Sequence, residues 1–86
     1  MGYKSMKLDT ETKSSAAAYI LGLSPMSRVK GTKTELQAFT EVLKSSRRLY
    51  SVLCENNSRE DIANALADKS DKARKFAAVC GQAWPF

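Results

Sequence analysis

Apolar residues recur along this chain in three blocks with helical rather than alternating spacing, and turn-forming residues separate the blocks. The first block, "TETKSSAAAYIL", can be capped by Asp9 or Thr10, and Gly22 suits the left-handed position after a last turn, with Pro25 beyond it. This predicts a helix over about residues 10–21. The second block opens at "TKTE", where Thr32 and Glu35 stand at the spacing that lets each side chain satisfy the other's free backbone N–H. No glycine or proline follows until "ENN", so a helix is predicted over about 33–55. Ser58, with Glu60 and Asp61 in the turn after it, caps a third helix over about 59–80.

The faces of these helices carry more information than their ends. Advanced ~100° per residue, Leu36, Ala38, Phe39, Val42, Leu43, Leu49, Tyr50, Val52, Leu53 and Cys54 cover an arc of roughly 200° on the second helix. An arc that wide meets more than one neighbour. Ser46 lies near its middle, where a small residue lets another element approach closely, and is read as marking a helix crossing.

The third block, "SREDIANALADKSDKARKFAAVCG", begins in a way that resembles the paired helices of a DNA-reading helix-turn-helix. Such a motif breaks between its helices, so the apolar phase need not carry across the turn. Here Ile62, Leu66, Ala73, Phe76, Ala77 and Cys80 keep one phase, and "ADKSD" has charge where the apolar turn residue belongs. One continuous helix accounts for more residues. Ser70 as a new cap, and Lys69 inside the stripe, keep a broken helix as the alternative.

Two helices of similar length joined by about three residues must form an antiparallel hairpin. The expected fold is therefore all-α: a small three-helix domain built on a long helical hairpin, with residues 1–8 as a flexible segment and 9–86 as one domain. A first helix of about a dozen residues spans ~18 Å and cannot cover a hairpin nearly twice as long. The stripe around Phe39, Val42, Ser46, Leu49 and Leu53 is expected to stay available to a protein partner or a second copy of the chain. The ending "QAWPF" either folds back over the hairpin or adds Trp84 and Phe86 as partner anchors.

Composition narrows the chemistry. A chain of 86 residues, 43% hydrophobic and 27% charged, suits one globular domain with a modest core, and it contains no apolar run near the ~20 residues needed to span a bilayer. No membrane association is expected. The sequence has no histidine and two cysteines, which removes imidazole acid–base and Ser–His or Cys–His chemistry and leaves too few ligands for zinc. The reading is a non-enzyme without metal or cofactor. Cys54 and Cys80 both fall on apolar helix faces and are read as free thiols, which favours a reducing, cytoplasmic setting.

The net charge of +5 raises nucleic acid as a second possibility. Residues 1–33 carry six basic and two acidic residues, residues 34–57 three and three, and residues 58–86 five and four. The excess lies early in the chain. Arg28, Lys30 and Lys33 approach the N-terminus of the second helix, whose free N–H groups attract anions, while Lys72, Arg74 and Lys75 would reach phosphates from a recognition helix. Arg47 and Arg48 are read as a solvated flank near Glu41 and Lys44. Two functions follow as expectations: a helical protein-interaction module of the regulator, adaptor or inhibitor type, and, second, a nucleic-acid-binding regulator.

Overall fold

The computed structural model of the chain describes residues 8–26, 29–55 and 57–86. Three helices follow in order, α1 over Thr10–Ile20, α2 over Lys33–Cys54 and α3 over Arg59–Cys80. Their starts are fixed by side chains that satisfy N–H groups a first turn leaves open. The Asp9 carboxylate accepts from Thr12 N–H at 2.8 Å, and the Ser58 hydroxyl accepts from Asp61 N–H at 3.2 Å. At α2 the satisfaction is reciprocal: Thr32 Oγ1 accepts from Glu35 N–H at 3.2 Å, and Glu35 Oε1 accepts from Thr32 N–H at 2.9 Å.

Gly22 closes α1 at φ 76°, with its own N–H on the Tyr19 carbonyl and the Leu23 N–H on the Ala18 carbonyl. This is the paired termination that a residue with Cβ adopts only under strain. α3 likewise ends on left-handed Gly81. Between its ends α3 is unbroken, so Ser70 does not start a new helix and the helix-turn-helix arrangement is absent from this half of the chain.

α2 and α3 pack along each other as the expected hairpin. Phe39 meets Phe76 at a ring separation of 6.3 Å, Ser45 donates to Asp68 at 2.8 Å, and Lys75 pairs with Glu41 at 3.2 Å. α1 lies against α2 and makes no helix contact with α3, which puts α2 in the middle. The molecule is correspondingly elongated and thin, 50 × 25 × 17 Å.

The core occupies only one end of this hairpin, termed here the closed end. Ala38, Phe39, Val42 and Leu43 of α2 join Phe76 of α3 and Ala16 of α1 there, with Met26 and Val29 packed at the edge. The chain's two extremities complete it. After Gly81 the backbone returns, and Trp84 inserts edge-on between Phe39 and Phe76, at 5.8 and 5.3 Å, while its indole N–H donates to Ser46 Oγ at 2.9 Å. Leu8 is buried beside it, and its backbone N–H donates to Gln82 Oε1 at 3.1 Å. Leu8 therefore belongs to the folded domain and not to the flexible segment assigned to residues 1–8, of which residues 1–7 lie outside the described set.

The other end, from Arg47 on α2 round to Lys69 on α3, is the open end. Ala65 is the one residue there that is fully enclosed, among the described residues. α1 touches this end at the Arg47 turn, where Tyr19 meets the guanidinium, and leaves Leu53 and Leu66 uncovered.

Candidate interaction surface

The structure divides the expected interface residues between two fates. Phe39, Val42 and Ser46 are buried inside the monomer, which corrects the expectation that they form part of an available stripe, and Trp84 is buried with them, as the folded-back reading of the tail required, not the partner-anchor reading. The physical reason is Trp84. The arc on α2 did require a second neighbour, but that neighbour is the chain's own tail, and the small Ser46 makes room for an indole and gives its N–H an acceptor instead of marking a helix crossing.

Leu49, Leu53 and Phe86 keep accessible surface, with Leu53 at 52% and Phe86 at 40%. Leu49, Tyr50 and Leu53 stand three, four and seven residues beyond Ser46, so they continue the face that Trp84 covers at the closed end. On α3, Leu66 and Ile62 continue the line of Phe76 and Ala73 in the same way, and Leu66 is 49% exposed. Tyr50 and Leu66 thus join the surface although sequence reasoning placed them in covered stripes. The signal was present in the length of α1, which cannot reach so far. Phe86, 5.5 Å from the Trp84 ring, borders the same face. One turn along α2, Cys54 holds the Tyr50 phenol's ionisation above its usual value of 10.0, first through side-chain hydrogen bonding and then through the negative charge it carries once it is a thiolate.

The expected anion residues also separate. Arg28 lies outside the described residues, while Lys30 and Lys33 are exposed near the start of α2. At that helix terminus the chain's own Glu35 carboxylate accepts from Thr32 N–H. The α3 cations are paired: Lys72 with Asp68 at 3.8 Å, Arg74 with Asp71 at 2.9 Å and Lys75 with Glu41 at 3.2 Å. With α3 continuous, they form no separate recognition helix.

Arg47 departs from the solvated flank assigned to it. Its Nη1 donates to the Tyr19 carbonyl at 2.8 Å and its guanidinium lies over the Tyr19 ring, 5.3 Å from the centroid. A side chain of α2 thereby closes the end of α1. A Cβ at Gly22 would stand 3.1 Å from Arg47 Nη1, close enough that the guanidinium would have to shift by a few tenths of an ångström. Lys44 and Arg48 make no ion pair among the described residues. With Tyr19, Arg47 and Ser51 they line a surface hollow of about 360 Å³.

Among the described residues, no group of three or more Cys, Asp or Glu side chains is placed to hold a metal ion, and no helix is long and apolar enough to cross a membrane. The cysteines are free, Cys54 exposed at the open end and Cys80 half-buried at the closed end, where burial and the nearby Glu35 charge push its thiol above the ordinary value. Comparison of the chain with protein-family models, with curated proteins and with solved structures gives no match.

Proposed function

We propose that this chain is a small non-catalytic helical interaction module that binds a protein partner through the open end of its hairpin. The observation that carries this reading is one continuous apolar face, covered by α1 and the tail at the closed end and left uncovered at Tyr50, Leu53 and Leu66. Large apolar side chains clustered on one face of a small domain are the usual sign of an interaction site, whereas scattered single ones are not.

The size of the face bears on its occupant. Three partly exposed side chains amount to a few hundred Å² at most, well short of the roughly 800 Å² per partner of a stable protein interface. An amphipathic helix laid along the groove between α2 and α3 would match it, in the manner that α1 and the tail fill the closed end. A homodimer centred on Ser46 is not part of the proposal, since Ser46 is under Trp84.

The double variant Leu53→Glu/Leu66→Glu tests the reading. It should keep the melting temperature of the parent while losing every partner recovered by affinity capture with the purified chain. Retention of those partners would reject the open end as the binding surface. Nucleic acid is the competing outcome: nuclease-sensitive capture that is unaffected by the double variant would favour it.

A further inference from the structure

Three cations crowd one turn of α2, and none of them is in an ion pair among the described residues. Lys44, Arg47 and Arg48 stand at i, i+3 and i+4, a spacing at which like charges repel. The nearest acidic residues on the same face are already engaged. Glu41 accepts from Lys75 at 3.2 Å and from Gln37 at 3.4 Å, and Glu55 accepts from the Ser51 hydroxyl at 3.0 Å. The contrast with α3 is direct, since Lys72, Arg74 and Lys75 each have a carboxylate partner.

Arg47 is also held in place. The Tyr19 carbonyl takes one of its five N–H donors and the Tyr19 ring supports its plane, so its remaining donors point from a fixed group. Two hollows meet at this pair. The first, of about 360 Å³, is lined by Lys44, Arg48 and Ser51, with Glu55 also on its lining; the second, of about 470 Å³, by Gly22, Leu23 and Pro25.

We propose that Lys44, Arg47 and Arg48 form a binding site for a phosphoryl group carried by a peptide segment. A phosphoryl group brings close to two negative charges and three acceptor oxygens to one point, which suits three cations within a single turn, where one carboxylate would leave two of them uncompensated. A nucleic-acid backbone fits less well, because the basic stripe is bounded by Glu41 one turn before and Glu55 two turns after, and neighbouring phosphates would meet those carboxylates. The second hollow supplies the apolar contact expected beside a phosphorylated side chain: Leu23, 75% exposed, lines it with Pro25, and Leu21, 45% exposed, stands two residues before Leu23. The proposal shares with the preceding section only the premise that the partner is a protein; the site lies on a different face of α2 from Leu53.

The test is an NMR titration of the full-length, isotope-labelled chain at constant ionic strength. Phenyl phosphate should produce saturable shifts at Tyr19, Gly22, Arg47 and Arg48, with half-saturation on the order of 1 mM. A phosphotyrosine peptide with flanking leucines should bind at least about threefold more tightly than phenyl phosphate, as expected if Leu21 and Leu23 add apolar contact. Arg48→Gln and Lys44→Gln, which disturb no hydrogen bond of the fold, should each weaken binding about two- to fivefold, the worth of one exposed ion pair. Leu53→Glu should leave it unchanged, so a failed open end and a failed anion site are told apart. Shifts that rise linearly without saturating, or that are identical in Arg48→Gln, would overturn the site. Tighter binding of a DNA oligonucleotide or of phosphatidylserine vesicles than of the peptide would overturn the assignment of its source.

Discussion

The two ends of one hairpin are built from the same helices yet stabilised differently. At the closed end, Phe39 and Phe76 meet a third aromatic side chain from the tail, α1 covers the flank, and a hydrogen bond ties the Leu8 backbone to Gln82. At the open end α1 reaches the Arg47 turn through Tyr19, and beyond it Leu53 and Leu66 are left about half exposed. The difference shows that a helical hairpin needs a third element to bury its apolar face. In this chain the third element extends over only part of the length, which separates the portion that holds the fold from the portion free to bind.

The largest expected effect follows from removing the centre of the closed end. Phe76 is fully buried and touches both Phe39 and Trp84, so Phe76→Ala should cost about 3–5 kcal/mol, enough to unfold a domain of this size near room temperature. Leu66→Ala, at the open end, should cost about 1 kcal/mol or less because half of that side chain is already in water. Urea denaturation of both variants checks the contrast. Equal losses would mean that the two ends are stabilised alike.

The elements of this fold were legible in the sequence because each is set locally. Asp9, the Thr32–Glu35 pair, Ser58 and Gly22 act within one turn of where they stand, and the helices they delimit fall within a residue of expectation. The single phase from Ile62 to Cys80 similarly foretold an unbroken α3. What covers the arc on α2 was not legible. A wide apolar arc states that a second neighbour exists, and the periodicity of α2 is the same whether that neighbour is another helix, a second molecule or a Trp arriving from 38 residues away. The role of Arg47 escaped for a related reason, since its partner is a carbonyl 28 residues earlier and carries no side-chain signature. Exposure of Leu53 is read from the helix lengths, and the same argument could have found Tyr50 and Leu66.

The Trp84–Ser46 contact is the next point at which the contrast can be sharpened. Ser46→Ala keeps the space but leaves a buried indole N–H without its acceptor, at a cost of about 1–3 kcal/mol. Ser46→Arg should have a different outcome: its side chain cannot fit beneath the indole, so the tail is displaced while the helices persist. Trp84 is the only tryptophan in the sequence, so its fluorescence reports the closed end directly. The expected result is a red-shifted emission in Ser46→Arg with helical circular dichroism retained. An unshifted spectrum would show that the indole does not depend on this groove.

The smallest expected effect is on the acid side, and it too should fall on the closed end. Hydrogen bonding by Lys75, aided by its charge, holds the Glu41 carboxyl below its ordinary value of 4.5, and the Thr12 N–H does the same for Asp9 below 3.8. Because both values are lower in the folded chain than in the unfolded one, ionisation favours folding. Their contribution is complete above about pH 5 and disappears as the pH falls through the depressed values. Glu41 links α2 to α3 beside the aromatic cluster and Asp9 starts α1, so acid removes two ties from the end that holds the core. Glu41→Gln should therefore melt lower than the parent at pH 7 by a small margin, and the margin should shrink towards pH 3 as the parent's carboxylate takes up its proton. Trp84 emission followed down the same pH range would place the loss at the closed end. If the margin between variant and parent were the same at both pH values, the Glu41 charge would have no part in holding α2 to α3.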